Sequence, residues 1–229
     1  MASAPAPVRT RTASLVRRRL DAFPPWVLLI QTFIGLGWLR AGVEKLISVE
    51  WWTGTELEGF LALHAGETLP WYLPFVELVV SPSAAVVSFV VMAAQFAIAG
   101  SLLSGRRVGL ALCAGMLLNL HFIAAGAVAP SVFYLLAQGA VALWMAEQRR
   151  TRQLSVLLTA VSIGGAAMAG ASLLAIRTID PALVIEDPAL MLVTVGAFGA
   201  AASIEVMRRH DEHEEHVVAE RVPVAAGRR

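Results

Sequence analysis

Six apolar stretches, residues 26–47, 83–103, 108–128, 130–147, 154–176 and 188–207, fill most of a 229-residue chain. Each approaches the about 20 residues that an α-helix needs to cross a hydrocarbon core. In lipid only helices and closed barrels satisfy their own backbone polar groups. The chain therefore reads as all-α, a polytopic transmembrane helix bundle. Composition agrees, since 57% of residues are hydrophobic, 15% are charged and the mean hydropathy is +0.68, outside the soluble globular balance. The first stretch is too long, and too charged at its far end, to be a secretory signal, so it is expected to persist as a helix.

Orientation follows from where the 18 Lys and Arg residues fall, which is more informative than net charge. Arg9, Arg11 and Arg17 to Arg19 precede the first stretch. Arg106 and Arg107 join the second and third, Arg149, Arg150 and Arg152 join the fourth and fifth, and Arg208 and Arg209 follow the sixth. The segment 48–82 carries Glu50, Glu56, Glu58, Glu67 and Glu77 but no Lys or Arg. Six helices with both termini cytoplasmic and the acidic loop outside are expected. The organisation is then a basic segment 1–25, a four-helix domain 26–147 with the external loop 48–82, a two-helix extension 148–207 and a tail 208–229. Lys45 is the single lysine, and the arginine excess suggests a bacterial cell membrane. The basic clusters suit topology and anionic lipid, not nucleic acid.

Prolines mark expected joints: Pro24 and Pro25 open the first helix, Pro82 the second, Pro130 the fourth and Pro188 the sixth. The run "TLPWYLPFVELVVSP" reads as an interfacial element that does not cross. In the last two spans Gly165 with Ala169, Ala166 with Gly170, and Gly199 with Ser203 form small-xxx-small patterns suited to close helix packing.

Polar side chains inside the spans are costly in lipid and face a protein interior or a wet cavity. They gather in the outer half. Arg40 and Glu44 are four apart and can pair, while Ser131, Tyr134 and Gln138 form one stripe. Ser88 and Gln95 form another. Asn119 and His121 are about 200° apart on an ideal helix, so both are not expected to point into one pocket. Lys45 suits either a snorkelling role or a ligand-facing one. His121 has no second well-placed histidine, so no haem is expected, and the single Cys113 excludes a CxxC redox motif. The tail "RRHDEHEEH" reads as a solvated continuation of the last helix with i,i+4 pairs such as Glu205 with Arg209; adventitious metal binding there is the alternative, and no specific metal site is expected.

The order of Gly35, Gly42, Lys45 and Trp51, then "PWYLPFVELVVSP", "AQFAIAGSLLSGRR" and "NLHFIAAGAVAPSVFYLLAQ", resembles the DoxX/DoxD family, nearest its DoxD branch of thiosulfate:quinone oxidoreductase small subunits. The resemblance covers residues of about 26 to 147 and implies a DoxX-like four-helix core, with two extra C-terminal helices outside it. It implies electron transfer from a small donor, such as a sulfur compound, or from an outer-face partner to membrane quinone. On that reading Arg40, Glu44, His121 and Tyr134 are the candidate catalytic residues, hydrogen-bonding the quinone oxygens and exchanging the proton. Lys45, Trp51, Asn119, Gln95 and Gln138 are candidate ligand-binding residues. The loop bearing Trp51, Trp52, Glu56 and His64 would face the partner or substrate. An anionic donor is repelled by that loop as a whole, although Lys45 beside the tryptophans offers a local cation. Where relatives carry charge this chain has Gln31 and Gln95, expected to form a neutral hydrogen-bonded pair. A non-catalytic scaffold or assembly partner of a redox complex is the alternative, and homo-oligomerisation is left open. Repeats and half-helix breaks of the transporter kind are not evident.

Overall fold

In the computed structural model, residues 23–148, 152–177, 180 and 185–221 are described, with side chains beginning at 154 in the seventh helix and ending at 212 in the eighth. The arginines of the first segment, Arg149, Arg150, His213 and His216 therefore lie outside the described side chains. Eight helices and no strand occur among the described residues: α1 Pro25–Ile47, α2 Val49–Thr53, α3 Thr55–Leu63, α4 Leu73–Ser104, α5 Val108–Ala124, α6 Val128–Gln148, α7 Arg152–Leu173 and α8 Pro188–Arg221. Five, α1, α4, α6, α7 and α8, contain spans long and apolar enough to cross a membrane; α5 is apolar but has only 17 residues. The chain is an all-α membrane helix bundle.

Antiparallel packing builds a ring in the order α1, α4, α5, α6. Gly35 of α1 lies against Leu102 and Leu103 of α4, and Gly42 against Phe96. Gly115 of α5 lies against Gln138 of α6. The ring closes through Trp26 and Phe23 on Trp144, and through Phe33 on Phe133 and Tyr134. Lipid tails are as apolar as leucine, so such contacts depend on close packing rather than on hydrophobic gain.

The extension packs as a pair. The backbones of α7 and α8 meet at Gly165, Ala169, Gly196 and Ala200, where an added Cβ on either glycine would run into the other glycine's carbonyl. The partner stripe on α8 is thus Gly196 and Ala200. Gly199 instead has only Val161 near it, and Gly170 has open space, which corrects the pairing expected from sequence spacing. The pair docks through α8: Ala189, Met191 and Leu192 join a core with Ile123 and Leu135, and Arg209 reaches Glu147 at 3.4 Å. Asp187 caps α8, its carboxylate accepting from the backbone N–H groups of Ala189, Leu190 and Arg177. Helix α8 runs past residue 207 on paired charges, including Arg209 with Glu205 at 2.8 Å.

Several sequence boundaries move. Residues 73–82 are continuous with the second expected span as the start of α4, because a π turn at Val76–Val80 and a 3-10 turn at Ser81–Ser83 absorb Pro82 within one helix. The missing proline N–H is bypassed when Ser81 N–H bonds to the Val76 carbonyl. The expected loop 48–82 is largely helical, as α2, α3 and the start of α4. Helix α5 ends at Ala124, four residues early, because Gly126 adopts φ 103° and turns the chain. The bonds from Gly126 N–H to the Ile123 carbonyl and from Ala127 N–H to the Phe122 carbonyl complete that cap. Helix α6 then begins at Val128, so Pro130 sits inside its first turn.

Candidate functional site

A cavity of about 570 Å³ opens in the four-helix ring, lined from α1, α4, α5 and α6 and capped by α2 and α3. That volume falls in the range of small-molecule sites, which are mostly apolar with a few placed polar groups. Apolar walls come from Val80, Val87, Val91, Leu118 and Phe122, and Leu57, Phe60 and Leu61 of α3 form the cover. Arg40, Glu44, Lys45, Trp51, Gln95, Asn119, His121 and Tyr134 all border this one space. Gln138 does not; it is fully buried behind Asn119, whose amide donates to its carbonyl oxygen at 3.4 Å.

Helix α1 supplies the charged rim. Arg40 and Glu44 are one turn apart and pair at 2.8 Å, with the arginine side chain 82% exposed on the bundle surface. They neutralise one another, so the pair presents a dipole rather than a net charge at the cavity edge. Lys45 places its ammonium 4.6 Å from the centre of the Trp51 ring, within cation–π range. Trp51 is itself pinned, its indole N–H donating to the Ser88 carbonyl at 2.8 Å. Across the mouth, Glu56 accepts from the Ser48 hydroxyl at 2.6 Å. Lys45 is thus held over an aromatic face beside the cavity.

The opposite wall holds a neutral pair. Tyr72 Oη lies 2.9 Å from His121 Nδ1, and Phe75 stacks on the same imidazole at 5.9 Å between ring centres. Burial pushes the Tyr72 phenol up to about 12, so it remains a protonated donor. The phenol and Nδ1 share one hydrogen bond, and the imidazole's Nε2 is left to donate to or accept from a ligand according to the tautomer. Helical spacing argued against Asn119 and His121 sharing a pocket, and the structure corrects this. Asn119 faces α6, His121 faces the amino-terminal extension of α4, and the space is wide enough to touch both sides of α5.

The inner end is less polar but not silent. Trp38, 4% exposed, and Gln95, 2% exposed, border the cavity from α1 and α4. Ser131 and Tyr134 complete that end from α6, and the Tyr134 hydroxyl rests on the backbone at Gly37, where there is no room for a Cβ. Gln31 and Gln95 do not pair. The α1–α4 register sets Gln31 beside Leu102, whose carbonyl accepts from its amide at 2.7 Å, two turns from Gln95 along α4. Sequence reasoning missed Trp38, which looks like one more apolar residue in its run, and Tyr72, whose partner is 49 positions away.

Of the described basic side chains, Arg106, Arg107, Arg208 and Arg209 lie at one end of the bundle, whereas Arg40, Lys45 and Arg177, which donates to the Gly66 carbonyl, lie at the end that holds the cavity and its acidic cover. No family model, curated protein or solved structure matches the chain.

Proposed function

We propose that this chain is a DoxD-like membrane subunit of a quinone-linked oxidoreductase. The observation that carries the reading is one cavity of about 570 Å³ in the four-helix ring, where a charged rim, a Tyr72–His121 pair and an apolar interior meet. A bound quinone would supply the two-electron, two-proton acceptor chemistry, with electrons delivered by a small donor or partner protein at the outer face. The His121 imidazole and the Tyr134 hydroxyl would hydrogen-bond the oxygens of the ring. Glu44, held by Arg40, is placed to exchange a proton at the rim. Lys45 and Trp51 form the side nearest the cover, where a donor would approach. The basic end would face the cytoplasm of a bacterial cell, by the positive-inside rule, giving six spans with α5 as the short one.

The scaffold alternative draws on the self-neutralised Arg40–Glu44 pair, which serves packing as readily as chemistry. Calorimetric titration of the purified protein in nanodiscs with a short-chain benzoquinone separates the two. One saturable site per chain is expected, weakened about tenfold or more when Trp38 and His121 are both replaced; absence of saturable binding would leave the scaffold reading.

A further inference from the structure

Helices α1 and α6 meet along their inner halves and part along their outer halves. Phe23 and Trp26 lie on Trp144, Phe33 lies on Phe133 and Tyr134, and Gly37 and Trp38 lie on Tyr134. Gly37 faces that ring, and at about 100° per residue Ala41 and Glu44 point within about 40° of the same direction, with Arg40 about 60° away. These positions also face α6. Yet the Arg40 and Glu44 side chains are 82% and 57% exposed, Ala41 is only partly buried, and Pro130 on α6 is exposed. All four residues border the cavity. The cavity therefore opens sideways between the two helices, over the two turns from Gly37 to Glu44, a rise of about 10 Å.

The other sides of the outer half carry ties. Gly42 lies on Phe96 and Trp51 bonds to the Ser88 carbonyl beside the α1–α4 seam, Tyr72 bonds to His121 between α4 and α5, and Asn119 bonds to Gln138 between α5 and α6. The cover is fixed at both ends. Gly54 packs on Ala84 and Ala85 at one end; at the other, the Leu69 N–H bonds to the Ala124 carbonyl, and His64 and Glu67 pack on Gly126. The α7–α8 pair docks elsewhere, against Ile123 and Leu135.

We infer that the ligand enters from the bilayer through the α1–α6 cleft and carries an apolar chain, which stays in the cleft while its ring fills the cavity. This rests on the quinone reading and narrows it to chain-bearing acceptors. The α6 edge of the cleft is apolar and small at Ala127 and Pro130, with Tyr134 below them. On the α1 edge Arg40 and Glu44 pair at 2.8 Å, so a chain passing them meets no net charge. A polar solute would lose its hydration on reaching this opening through lipid, whereas an apolar chain exchanges one apolar surrounding for another.

The test uses the full chain in nanodiscs and a benzoquinone bearing a decyl chain with a diazirine at its middle. Irradiation is expected to label α1 between Arg40 and Glu44 and α6 between Ala127 and Ser131. The route is then probed in a Cys113→Ala chain with a benzyl group attached through a disulfide after folding. On Ala41→Cys the benzyl group is expected to slow association of the probe about tenfold or more, with recovery on reduction, and on Ala62→Cys, on the exposed face of α3, to change it by less than about twofold. Recovery on reduction separates blockage from misfolding. Label on α3 or none in the cleft, or slowing from Ala62→Cys and not from Ala41→Cys, would overturn lateral entry while leaving quinone binding in place. If a phenyl ring on the same diazirine chain labels the cleft as strongly, and excess benzoquinone displaces neither probe, the lateral route stands and the quinone reading fails.

Discussion

Replacing His121 with alanine is expected to lower quinone-linked turnover in membranes by about a hundredfold or more, the contribution of a positioned general acid or hydrogen-bond donor. Its Nδ1 lies 2.9 Å from the Tyr72 hydroxyl, and its ring forms a three-ring cluster with Tyr72 and Phe75, so its orientation is constrained. Alanine removes the imidazole and leaves the Tyr72 hydroxyl without its partner. Tyr72→Phe should keep the imidazole but free its orientation, costing about tenfold with the larger share in kcat. The check is steady-state kinetics in membranes matched for protein content. A loss confined to KM in His121→Ala would make the histidine a binding residue only, and unchanged turnover would remove it from the chemistry.

Gly37→Ala is expected to destabilise the bundle by about 1–3 kcal/mol, the usual range for overpacking. The new methyl would meet the Tyr134 ring carbons within 2.8 Å and collide with its hydroxyl. The ring cannot move freely, because it stacks on Phe33 and leans on Trp38. Something must give, and the space available to Tyr134 is the cavity. Ligand affinity should therefore fall with stability. Tyr134→Leu removes the obstacle, so the double variant Gly37→Ala with Tyr134→Leu should recover at least about 1 kcal/mol relative to the sum of the singles. Unfolding in mixed micelles measures all three. Additive effects would mean that the α1–α6 contact at Gly37 is not the point where these helices meet.

Much of the architecture was legible because lipid imposes a simple length and polarity rule on each span. The six apolar stretches all correspond to helices, and the Arg40–Glu44 pair follows directly from i,i+4 spacing. The failures have physical causes. Pro70 and Pro74 with Trp71, Tyr72 and Phe75 made residues 68–82 look like an element apart from the second span, yet a π turn followed by a 3-10 turn lets Pro82 pass through a continuous helix. The early end of α5 depended on Gly126 reaching a positive φ, which an apolar run of "IAAGAVA" does not announce. For Asn119 and His121, the helical-wheel reasoning assumed that a pocket is bounded by one face of a helix. The extension of α4 brings Tyr72 and Phe75 around to the far face, and the cavity follows it. Gln31 and Gln95 looked like a substituted pair, but their separation depends on the α1–α4 register. No spacing within either helix reveals that register.

The same distinction applies to the cavity. Polar residues placed in costly surroundings were visible in the sequence, and eight of the nine singled out border one space. Which atoms beside that space lack partners was not visible. Trp38 reads as part of an apolar run until α4 and α6 surround it, and only then does its indole N–H become an unmet donor.

The most direct measurement is photolabelling of the full chain in membranes with an azido-benzoquinone, followed by peptide mapping. The account predicts label on the α1 segment around Trp38 to Lys45 and on the α5 and α6 segments around Asn119 to Phe122 and Pro130 to Tyr134, all competed away by unlabelled quinone. Label confined to the lipid-facing sides of α7 and α8, or label in the cavity that excess quinone does not displace, would contradict it.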